Sequence, residues 1–159
     1  MRNTTIRTIV AAMSVLSLPN MACFRDDSPE ARAAAESAGR QIRLQSSVAD
    51  VVEIAAAQDR PFEVTGVCGE NGALNVRRVR GANWISAWRG SPSDGASPVR
   101  EYQFNTRSEL RAALEHELLR DGPCSMLFVG FPAHRAWHFR VSLGPDGRVT
   151  AVKSTEPWQ

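Results

Sequence analysis

Apolar positions recur along this chain in two rhythms, and the switches between them mark its elements. Val48, Val51, Val52 and Ala55 follow helical spacing after Ser47, a capping residue, and Pro61 ends the pattern, so an amphipathic helix is predicted over 48–59. Three strand-like runs come next. In "PFEVTGVCG" Phe62, Val64 and Cys68 alternate with polar neighbours, "GENG" turns the chain, "ALNVRRVR" follows, and "NWISAWR" sets Trp84 and Trp88 against Ile85 and Ala87. "VREYQFNT" reads as a further strand that carries Tyr102 and Phe104 on one face.

The second helix has the clearest signature. Thr106 with Glu109 forms a capping box, Leu110, Ala113, Leu114 and Leu118 make the apolar stripe, and "RDGP" stops it. Three strands follow here too. "CSMLFVGF" is continuously apolar, as a central strand covered on both faces would be; "RAWHFRVSL" alternates Trp137, Phe139, Val141 and Leu143; "GPDG" turns tightly into "RVTAVKST".

Both halves therefore read helix, then three strands, about 60 residues apart. A helix packed on an antiparallel sheet buries such faces in two layers, and two such units can share one sheet. The predicted fold class is α+β: two helix-plus-three-strand units on an antiparallel sheet, tied by a disulfide. The folded domain is expected over 46–159, a single core's worth of chain. Residues 23–45 hold little apolar content beyond alanine and are expected to be a tether or a loose helix starting near Ser28 and Pro29.

The first residues have another purpose. Arg2 and Arg7 precede an uncharged run from Thr8 to Leu18, and eleven helical residues rise only about 16 Å against the roughly 30 Å of hydrocarbon a spanning helix must cross. Pro19 then breaks the helix and Ala22 is a small residue before a cut, so 1–22 is expected to be a cleaved export signal. Cys23 would begin the mature chain, and the segment resembles a bacterial lipoprotein signal, which implies a diacylglycerol on the Cys23 thiol and a periplasmic, membrane-anchored protein. Asn20 stands where such signals usually carry leucine, and Leu18 lies two positions early, so conventional cleavage with simple secretion remains the alternative.

Export changes how charge and cysteine are read. The chain has 19 basic and 17 acidic residues, but the leader holds two of the arginines and no acid, so the processed part is balanced. It lacks the basic footprint on which nucleic-acid binders depend, and no nucleic-acid partner is expected. Of three cysteines, an odd count for an exported protein, Cys23 would take lipid and leave Cys68 and Cys124 as a pair. Their bond would close a loop of 55 intervening residues, a constraint on the unfolded chain of roughly 4 kcal/mol.

Groups suited to catalysis are sparse. His134 and His138 are four apart in a strand-like run, which sets them about 13 Å apart on one face, too far to share one tetrahedral metal. No metal and no cofactor is expected. A cysteine nucleophile would need Cys124 free beside His138 or His116. Glu115 and Glu117 flank His116 but project in different directions and read as a solvated helix face. Neither a phosphate-cradling glycine loop nor a G-x-S-x-G elbow occurs.

What stands out is "VRRVRGANWISAWRG", which carries Arg77, Arg78, Arg80, Trp84, Trp88 and Arg89 beside "GSPSDGASP", an expected exposed loop over 90–98. Trp and Arg concentrate in binding hot spots, because they cover much area with few rotors or make forked hydrogen bonds. The bland alternative is one core tryptophan and a solvated, aggregation-blocking strand edge. The expected function is accordingly not enzymatic. The chain reads as an exported envelope protein that binds and neutralises a protein partner, as an inhibitor or immunity protein does. A structural or assembly lipoprotein is the alternative, and a cysteine hydrolase a more distant one.

Overall fold

In the computed structural model, which describes residues 26–69, 72–90, 100–120 and 122–157, three helices cover one face of a seven-stranded antiparallel sheet. The chain runs α1 (Ser28–Gln41), α2 (Val48–Ala56), β1 (Phe62–Cys68), β2 (Gly72–Arg78), β3 (Ile85–Arg89), β4 (Tyr102–Phe104), α3 (Arg107–Ala113), β5 (Cys124–Phe131), β6 (Trp137–Leu143) and β7 (Val149–Pro157). The last turns of α3 widen into a π-helix over Leu114–Leu118. The expected leader 1–22, Cys23 and positions 91–98 of the expected loop lie outside the described residues.

Strand order is β4-β3-β2-β1-β5-β6-β7. Each unit's first strand lies at the centre and its later strands meander outward, so the two units meet along β1 and β5. The sheet thus holds the two expected three-strand sets plus β4, a short extra edge strand paired with β3. Cys68 and Cys124 are register partners across the central seam and are disulfide-bonded. Ser125 is the extra residue of a bulge there, which lets Val67 pair with Met126 while Cys68 still faces Cys124. Close to the seam, Gly72 is required: a Cβ at that position would stand 2.3 Å from the Cys68 carbonyl oxygen.

The expected capping box at Thr106 forms, and Ser47, expected only as a cap, makes a second one. Ser47 Oγ accepts from the Asp50 N–H at 3.1 Å while Asp50 accepts from the Ser47 N–H at 2.8 Å, and Thr106 and Glu109 reciprocate in the same way. α2 stops at Ala56, short of 59, because Asp59 turns the chain in a left-handed conformation (φ 53°) ahead of Pro61.

Two expectations need correction. The helix expected from Ser28 and Pro29 forms over 28–41, but it is packed rather than loose, so the folded core begins before Ser46. Ala31, Ala34, Ala35 and Ala38 lie on one helical stripe, all buried, and α1 packs on β5, β6 and β7. Alanine offers little area per residue, but it lets helix and sheet backbones approach closely, and the large side chains come from the sheet: Phe131, Phe139 and Val141 are fully buried. The linker to α2 is pinned as well, through Gln45 N–H to Val149 C=O and Val149 N–H to Ser46 C=O, each 2.9 Å. The second correction concerns β5. Its burial alternates, with Leu127, Val129 and Phe131 under the helices and Met126, Phe128 and Gly130 only partly covered. All three helices lie on one side, so β5 has a core face and an open face despite its unbroken apolar sequence.

Candidate partner-binding face

Register fixes which side chains share the open face, because directly opposed residues of an antiparallel pair point the same way. One row crosses the sheet through Trp88, Asn75, Thr65, Phe128, Arg140 and Lys153. A second passes through Ala73, Val67, Met126 and Ser142, and a third through Ser86, Arg77, Glu63, Gly130 and His138. Val67 is 48 % exposed, and Trp88, Met126 and Phe128 are half-buried with no helix above them. The Arg77 guanidinium lies 4.8 Å from the Trp88 ring centroid, a cation–π contact between two side chains of the open face.

Absence of a side chain at Gly130 opens a depression of about 270 Å³ bounded by Glu63, Phe128, Pro132, Ala136 and His138. The electrostatics of the face are cationic. Arg77, Arg140 and Lys153 stand on it against Glu63, its one carboxylate among the side chains described. Arg140 Nε is buried without a hydrogen-bond partner among the described residues, so an unused donor is already desolvated beside Phe128.

The six Trp and Arg positions of the β2–β3 hairpin do not form one surface. Arg77 and Trp88 share the open face. Arg78 points to the helical side, where its Nη2 donates to the carbonyls of Ala56 (3.0 Å) and Arg60 (2.9 Å) and its guanidinium covers Phe62. It is a structural clamp that closes the end of α2. Arg89 lies opposite Leu74 on the helical side and fills the space over Gly72. Arg80 and Trp84 belong to the turn between β2 and β3, where Trp84 is 42 % exposed.

At that same end Asp27 gathers the start of α1. It accepts from Arg80 Nη2 at 2.6 Å, from Arg60 Nη2 at 3.4 Å and from the His134 N–H at 3.3 Å. Burial alone would raise its carboxyl, but the hydrogen bonds from Arg80 and His134 outweigh that and hold it below the ordinary carboxylate range.

Between α2 and α3, Arg111 reaches Asp50 (2.8 Å), Glu53 and, one turn on, Glu115 (3.0 Å). Hydrogen bonds to Asp50 and Glu53 make its guanidinium bind its proton more tightly than a free arginine, and Asp50 falls below its usual range although its desolvation acts the other way. This network joins helices on the covered side and is remote from the open face.

Of the residues singled out from the sequence, Arg77 and Trp88 share the open face with Thr65, Val67, Met126, Phe128 and Arg140, which the sequence did not single out. The available clue was the surplus of apolar residues in β5, which read as two-sided burial when its outer half is a surface. Among the described residues no cluster of three or more His, Cys, Asp or Glu is arranged to hold a metal ion. No protein-family model, no curated protein and no solved structure matches this chain.

Proposed function

We propose that the chain is an exported envelope protein, held at a membrane by lipid on Cys23, that binds and neutralises another protein as an inhibitor or immunity protein does. The observation that carries this reading is the open sheet face: apolar side chains at its centre, Trp88 stacked on Arg77 at one flank, and cations around them. A contiguous apolar patch rimmed by polar groups is the usual mark of an interaction surface. The cations favour a partner that presents carboxylates. A hydrolase would require the Cys124 thiol, and that sulfur is bonded to Cys68.

The test is affinity purification from periplasmic extract with the native chain and with Phe128→Asp. Recovery of one partner by the native chain, reduced at least tenfold by Phe128→Asp, is the expected result. Failure to recover any specific partner, or equal recovery by both chains, overturns the reading.

A second reading, a structural or assembly lipoprotein, draws support from β7. It is a nine-residue edge strand with Ala151, Val152 and Lys153 exposed, the kind of edge on which another strand can add. Gene deletion separates the two: an assembly role predicts envelope leakage in a culture grown alone, an inhibitory role predicts harm only when the neutralised protein is present.

A further inference from the structure

From the α1 end of the domain we infer that the β2–β3 turn is a membrane-contact site, with Trp84 and Val79 seated in the headgroup zone of the phospholipid bilayer that carries the anchor. The inference rests on the lipid-anchor reading of Cys23. Chain length supplies the first argument. Four chain steps lead from Cys23 to Asp27, and even a fully extended chain gives each at most about 3.6 Å, so the Asp27 end stands within about 14 Å of a lipidated Cys23.

Geometry supplies the second argument. Asp27 is held to Arg80 of that turn and to the backbone of His134, and Ser28 Oγ accepts from the Arg135 N–H at 2.8 Å. The β2–β3 and β5–β6 turns are thereby fastened to the residues that lead to the anchor. Val79 is 48 % exposed and Trp84 42 %, two of the few large apolar side chains the domain leaves in solvent, and both lie in this turn. An indole with an apolar body and one N–H donor suits the wet boundary of a bilayer.

Charge has little part in the attraction. Arg60, Arg80 and Arg135 at this end face Asp26, Asp27 and Asp59, and Arg80 and Arg60 are already spent on Asp27. The contact is apolar, weak by itself, and made effective because the anchor converts it into an intramolecular event. It also orients the domain. β1 leaves this end at Phe62 and reaches Cys68 about 20 Å further on, so the disulfide end, where the chain leaves β3 at Gly90 and returns at Arg100, points away from the bilayer and the open face stands clear of it.

The test couples the processed chain, through Cys23, to a maleimide lipid in phosphatidylethanolamine–phosphatidylglycerol vesicles with or without brominated acyl chains. Emission from Trp84 is isolated as native minus Trp84→Phe; the exposed position lets the variant fold. Bromination is expected to cut that difference at least twofold, equally in 0.05 M and 0.5 M salt. An unchanged difference overturns the inference, and so does quenching that salt abolishes. Palmitate labelling of cells that make the native chain or Cys23→Ser tests the anchor separately. Label without Trp84 quenching sinks the contact site alone, whereas quenching on coupled vesicles without label in cells sinks the anchor and, with it, the site's physiological role.

Discussion

Replacing both Cys68 and Cys124 by alanine tests how the two halves are held together. The bond joins positions 56 apart in sequence that are opposed on adjacent central strands. Released, the unfolded chain regains a loop of that size, an entropy gain corresponding to about 4 kcal/mol at 25 °C. An unfolding entropy near 2.1 cal/mol/K per residue over a domain of about 130 residues converts that loss into a fall in Tm of about 15 °C. The assay is thermal and urea unfolding of the chain followed by far-ultraviolet circular dichroism, with thiol counts to verify the bond in the native form. Because the effect lies in the unfolded state, the urea m-value should rise as that state expands. Native protein unfolded in the presence of a reductant supplies the same comparison without the two missing sulfurs, which are buried. A fall below about 4 °C by both routes, with m unchanged, would refute the loop-entropy argument and mean that β1–β5 pairing needs no covalent help.

Ala35→Leu, at a fully buried position of α1, is expected to destabilise the domain by about 1–3 kcal/mol through overpacking against the sheet; a urea midpoint equal to the native one would return 28–41 to the status of a tether. Arg111→Met should cost about 1 kcal/mol, a modest figure because the guanidinium is 36 % exposed and solvent screens its ion pairs. The Asp50 carboxyl is depressed in the folded state, so its contribution is present above the unfolded value of about 3.9 and is lost as pH falls through the lower folded one. Urea midpoints from pH 7 to pH 2 should therefore decline less steeply in Arg111→Met than in the native chain, and an identical decline would show that Arg111 does not set the Asp50 proton affinity.

The local code was legible where a rule acts over a few residues. Ser47 announced a helix cap and Thr106 with Glu109 a capping box, alternation marked β1, β3 and β6, the repeated order of helix and three strands gave the α+β class, and the odd cysteine count gave the pairing of Cys68 with Cys124. It failed where meaning depends on what lies opposite. Ala31, Ala34, Ala35 and Ala38 resemble spacer residues until Phe131, Phe139 and Val141 are brought beneath them. Met126 and Phe128 look like core until all three helices settle on the other side of the sheet. The hairpin's six Trp and Arg residues look like one patch until register sends Arg78 and Arg89 inward, Arg77 and Trp88 to the open face, and Arg80 and Trp84 to the turn.

Sequence alone determined the periodicities, the caps and the turn positions, because each is a property of neighbours along the chain. Tertiary structure decided which sheet face is covered, which apolar residues remain in water and which turns the start of α1 is fastened to. Those depend on helix placement, and helix placement follows from summed burial across strands far apart in sequence, a quantity that no local window contains.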